Sequence, residues 1–231
     1  NAAYILAIPL LPLACFVVLG IFGRRHLQGA AGVISTISLA VSTGLSALVA
    51  WAYFFSEPVT TYKQVIPFKI TWLQFSKDLS IDLGILLDPI SVMMIVVVCF
   101  VSLMVHMFSL WYMKGEERYA TYFAFLSLFT FSMLGLVLSS NIFQIYIFWE
   151  LVGLSSFLLI GYYYNKASAV AAAKKAFIVT RFADFGFLVG ILVLAFYSNT
   201  LDFTTLITTL SNPQSAESLA IHGGSFIGIS A

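Results

Sequence analysis

Glu150 stands inside the run from Phe143 to Ile160, an apolar stretch long enough to cross a bilayer. A carboxylate near mid-membrane costs about 3 kcal/mol on insertion scales. Such a group is commonly kept because a proton or an ion uses it. The competing reading is a neutral or paired carboxyl that only ties helices together. Arg181 and Asp184 occupy a second apolar run, between Lys174 and Gly186. Three residues apart on a helix, they share a face. They are either ion-handling groups or a salt bridge that neutralises both. Lys174 precedes Arg181 by seven residues, and Lys175 lies on another side of the same helix. Together these groups form a ladder descending into the membrane, unless the lysines only snorkel to the headgroups. His106, in a third apolar run, has a side chain that titrates near neutrality. It is suited to relaying protons or to a hydrogen bond between helices.

The rest of the composition says what must position these groups. Hydrophobic residues make up 61% of the 231-residue chain and charged residues 9%, with a mean hydropathy of +0.99. Soluble domains carry about 25% charged residues. A chain this apolar cannot build a polar shell, so it is an integral membrane protein with lipid as its solvent. The net charge of +1 gives no reason to expect a nucleic-acid partner. Cys15 and Cys99 lie in apolar spans, without metal-ligand spacing or a disulfide framework. The sequence has no glycine-rich nucleotide fingerprint, no Walker motif, no cysteine cluster and no histidines at heme spacing. No cofactor is therefore expected on this chain. A proton conductor that depends on partners fits better than a stand-alone oxidoreductase.

Apolar runs long enough to span fall at 4–22, 31–55, 88–113, 120–138, 142–164 and 170–197, and a seventh begins near 225. The expected fold is all-α, a polytopic transmembrane bundle of six complete spans plus the start of a seventh. Pro9 and Pro12 fall close to the start of the first run, where a missing donor does least harm. Asp88-Pro89 reads as a helix N-cap followed by proline at the first helical position. Segment 56–87 differs: its prolines, lysines and alternating apolar residues predict an extramembrane β-hairpin-like loop. Leu201 to Leu210 has the spacing of a short amphipathic interfacial helix. The whole of 1–231 reads as part of one membrane domain. Its last residues look like the opening of another span, so a longer polypeptide is expected.

Two stretches carry a family resemblance. Leu87 to Met94 followed by His106 to Glu117 resembles the start of the largest antiporter-like subunit of respiratory complex I, the family of NADH-quinone oxidoreductase subunit L and mitochondrial chain 5. Phe148 to Gly161 is similar to the fifth-helix signature of that family, and Ala171 to Asp184 to its sixth-helix signature. The resemblance implies the antiporter-like fold and proton translocation coupled to quinone reduction elsewhere in the complex. It implies NADH, FMN, iron–sulfur clusters and quinone on partner subunits. It also implies other membrane subunits as partners, another antiporter-like subunit above all. It matches Glu150, Arg181, Asp184 and His106 to family positions, and pairs the glutamate with a lysine on a broken seventh helix beyond residue 231. The family often has Gly where Leu151 stands and usually Gly where Ala183 stands. Two relatives of this core remain open as alternatives: a multisubunit sodium/proton antiporter and an inorganic-carbon uptake complex. A purely structural scaffold is a third.

Lysine and arginine set the orientation. Arg24, Arg25, Lys114, Arg118, Lys166, Lys174 and Lys175 follow spans one, three and five, whereas only Lys63, Lys69 and Lys77 follow the even spans. The odd loops are expected on the cytoplasmic or matrix side of a bacterial or mitochondrial inner membrane, with the N-terminus outside. Cysteines placed at positions 63 and 166 are expected to label from opposite sides. Labelling from one side would overturn this topology, because three spans separate the two positions.

Overall fold

A computed structural model describes residues 2–55, 64–74, 80–198 and 200–211. Among the described residues six helices are long and apolar enough to cross a membrane. The first combines α1 (Ala2–Val18) with a π-helical turn at Leu19–Gly23, followed by the short α2 (Arg24–His26). The others are α3 (Ala31–Phe55), α4 (Pro89–Tyr112), α5 (Tyr119–Val137), α6 (Ile142–Ile160, extended by a 3-10 turn at Gly161–Tyr163) and α7 (Ala167–Ser198). An antiparallel hairpin, β1 (Val65–Gln74) and β2 (Ser80–Leu87), stands between α3 and α4, and α8 (Phe203–Ser211) follows α7. The six spans, the hairpin and the short helix at 203–211 match the expectation. The seventh run, near 225, and position 63 lie outside the described residues.

Local sequence explains the helix ends. Asp88 accepts from the Ser91 amide at 2.6 Å while the Ser91 hydroxyl accepts from the Asp88 amide at 2.9 Å, a reciprocal capping box with Pro89 at the first helical position. Asn141 caps α6 by accepting from the Gln144 amide at 2.7 Å. The prolines of α1 depart from expectation. Pro9 and Pro12 sit inside the helix rather than in its first turn. Pro12 has no N–H to give the carbonyl four residues back, at Ile8. The Ser42 hydroxyl of α3 donates to that freed carbonyl at 3.2 Å, so the neighbouring helix makes up the missing bond.

Helix α5 is the most buried span and packs against α1, α3, α4 and α6. Toward the hairpin end, Ile8, Val92, Ile95, Cys99 and Leu134 form one core cluster; toward the other end, Cys15, Leu19, Phe123 and Ala124 form another. Lipid is as apolar as these side chains, so close packing and hydrogen bonds must do the joining. Ser35 and Ser127 bond at 2.9 Å, Thr130 donates to Ser102 at 3.0 Å, and Thr43 donates to the Cys99 carbonyl at 3.2 Å. Gly135 lets α6 approach: a Cβ there would collide with the Phe148 ring.

The hairpin is clamped to one end of the bundle. The Gln144 amide bridges both backbone groups of Gly84, accepting from its N–H at 3.0 Å and donating to its carbonyl at 2.9 Å. Leu86 N–H donates to the Leu138 carbonyl, and Asn141 donates to the Asp82 carbonyl. Lys69 reaches Asp82 at 3.1 Å and Asp202 at 2.8 Å, joining the hairpin to the α7–α8 connection. Asp202, then Asp82, holds the Lys69 ammonium above its ordinary pKa against a partial loss from burial. A raised folded-state pKa means a stabilisation fully present below the ordinary lysine value, about 10.4. It is lost as pH rises through the raised value. Wild type is therefore expected to resist thermal unfolding better than Lys69→Gln at pH 7 to 9, with the difference closing above the lysine range. A gap of equal size at every pH would rule out the ionic latch.

Candidate functional site

Glu150 lies mid-way along α6, and Arg181 and Asp184 face it from α7. The Glu150 carboxylate and the Arg181 guanidinium are in direct ionic contact through Oε2 and Nη1. Arg181 Nη2 also donates to the Glu150 carbonyl at 3.2 Å, so one guanidinium grips both the side chain and the backbone of α6. Asp184 Oδ2 stands 3.9 Å from Arg181 Nη1, at the edge of ion-pair range. Its other oxygen accepts from the Trp149 indole N–H at 2.8 Å. The Phe177 ring lies 4.6 Å from the guanidinium carbon and covers the cation. Arg181 Nε is buried with no hydrogen-bond partner among the described residues. The side chains of Arg181 and Glu150 are 30% and 21% exposed and that of Asp184 is 7% exposed, so the cluster sits at a helix–helix contact rather than in the open.

Two carboxylates share one guanidinium here. With both ionised the cluster carries a charge of −1; with one protonated it is neutral. Net charge in hydrocarbon is costly, so the arrangement has room for one exchangeable proton or one added cation. A cavity of about 250 Å³ adjoins it, lined by residues that include Ser156, Phe157, Ala176, Phe177, Thr180 and Asp184. It reaches from Ile160, toward the Lys166 end of α6, down to Asp184. A polar cleft is what conduction calls for at this place. The cavity wall is instead mainly apolar, with the Ser156 and Thr180 hydroxyls and the Asp184 carboxylate as its polar points.

The remaining candidates lie apart. Lys174 and Lys175 are exposed on α7, and Lys175 has no ion-pair partner among the described residues. His106 is fully buried at the contact of α4 and α5, 5.9 Å from the Phe123 ring centroid. Its Nδ1 lies 2.8 Å from the Ser102 carbonyl, which can only accept, so Nδ1 carries the proton. Its Nε2 has no partner among the described residues. The structure thus brings Glu150, Arg181 and Asp184 together and leaves His106 on the other side of α5. Trp149, the direct partner of Asp184, was not among the candidates read from the sequence. As the residue before Glu150 it looks like lipid-facing aromatic filler, and only the α6–α7 crossing shows its indole turned to a carboxylate. Among the described residues no group of three or more His, Cys, Asp or Glu side chains could hold a metal ion, and both cysteines are free and buried.

The geometry ranks the couplings. Glu150→Gln and Arg181→Gln are expected to be non-additive in thermal unfolding of the assembled protein, with an interaction energy of about 0.5–3 kcal/mol. The Asp184→Asn and Arg181→Gln pair is expected to show a smaller one, because that contact is at the limit of range. Additive effects for Glu150 and Arg181 would remove the direct pair.

Comparison with known proteins gives the family of the chain. Residues 72–123 match the family model for the N-terminus of chain 5 of NADH-ubiquinone oxidoreductase (complex I). Residues 139–231 match the model for the transmembrane region of NADH:quinone oxidoreductases and Mrp antiporters. The chain is 41% identical over 213 residues to NADH-quinone oxidoreductase subunit L of Neisseria meningitidis, covering 91% of this chain and 31% of that protein. It is 42% identical over 206 residues to the chloroplastic NAD(P)H-quinone oxidoreductase subunit 5 of Chara vulgaris, covering 86% and 30%. It thus spans about a third of the length of these relatives. In fold it is similar to a chain of the archaeal membrane-bound sulfane sulfur reductase, with a TM-score of 0.74 at 19% identity over 96% of this chain and 43% of that one. It is also similar to a chain of the Mrp complex of Dietzia sp. DQ12-45-1b, with a TM-score of 0.71 at 21% identity over 91% and 21%. The two matched segments and the 41% and 42% identity to these relatives over 91% and 86% of the chain make this chain a member of the NADH-quinone oxidoreductase subunit L and NAD(P)H-quinone oxidoreductase subunit 5 family, corresponding to its N-terminal portion.

Proposed function

We propose that this chain is the N-terminal part of a proton-translocating membrane subunit of a respiratory NADH-quinone oxidoreductase. Protons pass through its buried charged residues, driven by quinone reduction on partner subunits. The observation that carries the reading is the sharing of Arg181 between Glu150 and Asp184 at the α6–α7 contact. Glu150 holds the exchangeable proton. Arg181 keeps a carboxylate ionised when it leans toward it, and Asp184, held by Trp149, is the second position between which the guanidinium divides its charge. Lys175, exposed on the same helix, delivers or repels charge at the approach to the cluster. His106 serves a separate stretch of the path, across α5, where its Nε2 has no partner among the described residues. The partners are other membrane subunits, another antiporter-like subunit among them, with NADH, FMN, iron–sulfur clusters and quinone held elsewhere in the assembly. The membrane is a bacterial inner membrane or its organellar counterpart, with the Lys166 end inside and the hairpin outside. The 41% identity to a quinone oxidoreductase subunit supports this reading.

A sodium/proton antiporter subunit is the second reading. It is favoured by the match at 139–231, whose model covers both protein types. The cluster would then exchange its proton for a cation, using the same carboxylates.

Glu150→Gln keeps the shape of the side chain and removes its titratable site. In the assembled complex it is expected to abolish most proton pumping, with quinone reduction slowed to match where coupling is tight. Wild-type pumping by a correctly assembled Glu150→Gln complex would sink the proposal. Pumping that requires sodium would shift it to the antiporter reading.

A further inference from the structure

At the end of the bundle opposite the hairpin, the α2–α3 connection and the α4–α5 loop enclose a recess of about 630 Å³. Its rim carries Lys114, Glu116 and Glu117, and its floor is Val33, Leu110 and Trp111. The opposed charges do not pair with one another: no ion pair joins Lys114 to either glutamate among the described residues. The Lys114 ammonium lies over the Trp111 ring, 5.7 Å from its centroid. Glu116 accepts from the Tyr163 hydroxyl at 3.2 Å. The Glu117 carbonyl accepts from the Gln28 side chain at 3.3 Å, which ties the two walls together, and Glu117 itself is exposed.

The depth of the recess is set by its aromatics. Trp111 and Tyr112 are 79% and 70% exposed at the end of a span, the position of side chains in the headgroup layer. Below the floor, Val33, Ile37 and Val41 form an exposed apolar stripe along α3, at the spacing of one helix face. A recess with an unpaired cation and an unpaired anion above an apolar track has the charge pattern of a zwitterionic phospholipid. One base against two acids disfavours a net-anionic headgroup. A primary ammonium has N–H groups to donate to the Glu117 carboxylate, which a quaternary ammonium lacks.

We propose that this recess is a binding site for a zwitterionic phospholipid with a primary ammonium, of the phosphatidylethanolamine type. Lys114 takes the phosphate, Glu117 takes the ammonium, and one acyl chain lies on Val33, Ile37 and Val41. The site is separate from the Glu150 cluster and independent of what that cluster transports.

The test uses the full-length protein in its assembled complex, reconstituted in vesicles of phosphatidylethanolamine, phosphatidylcholine and phosphatidylglycerol, then extracted and examined by native mass spectrometry. Wild type and Glu117→Asp are expected to retain one more phosphatidylethanolamine per copy than Glu117→Gln or Lys114→Gln. Arg25→Gln, outside the recess, is expected to retain the wild-type number. Equal retention by wild type and both charge-removing variants would overturn the proposal. So would retention of phosphatidylcholine or phosphatidylglycerol in place of phosphatidylethanolamine, or a cryo-electron-microscopy map in which a partner subunit's chain fills the recess.

Discussion

Arg181 is the interaction on which the α6–α7 half of the molecule depends. Helix α7 is 32 residues long and, among the described residues, packs mainly against α6. Lipid supplies no hydrophobic force between two apolar helices. The guanidinium adds a polar tie to the packing of Ile191 and Ala195 against Ile142, Phe143 and Tyr146. It binds the carboxylate and carbonyl of Glu150 and lies within reach of Asp184, which in turn holds Trp149. A charge that lipid would not tolerate alone thereby sets how the two helices meet. Ring contacts between Phe157 and Phe177, and between Trp149 and Phe187, extend the contact to either side.

The other half of the bundle is held by a different chemistry. Helices α1, α3, α4 and α5 meet through small residues, serines and threonines, without a charged pair among the described residues of their contacts. Hydroxyls there either return to their own helix or cross to the next, as Ser42 does for the carbonyl that Pro12 leaves free. Such bonds are short, local and neutral, and they build a scaffold against which the charged contact of α6 and α7 can be placed. Among the described residues His106 is set inside this neutral half with its Nε2 unpartnered.

The hairpin joins the two halves at one end. Its backbone is held by Gln144 at the start of α6 and by Leu138 at the end of α5, while Lys69 ties it to Asp202 after α7. The α7–α8 connection returns to the same place, where Ile142 N–H donates to the Leu201 carbonyl and Phe203 N–H to that of Ser140. Three chain segments that are distant in sequence thus share one hydrogen-bonded plate above the spans. That plate fixes the ends of α6 and α7, and with them the height at which Glu150 meets Arg181.

Much of this was legible in the sequence for a simple reason. In hydrocarbon backbone polar groups must be bonded within the protein, and a helix does this almost wholly within its own segment, so long apolar runs read as helices, and the six spans follow from composition and length. The Asp88-Pro89 cap and the paired positions of Arg181 and Asp184 are likewise local, set by spacings of a few residues. The sequence also singled out Glu150, because a carboxylate in an apolar run is conspicuous anywhere. What it could not decide was rotation. A span that is apolar all round gives no sign of which face meets its neighbour, so it was silent on Trp149 turning to Asp184, on Lys175 remaining exposed, and on His106 being sealed across α5 from the charged cluster. The interior place of Pro12 was equally hidden, since it is tolerable only because Ser42, thirty residues later, arrives beside Ile8. These are contacts between segments far apart in the chain, and only the tertiary packing of the helices settles them.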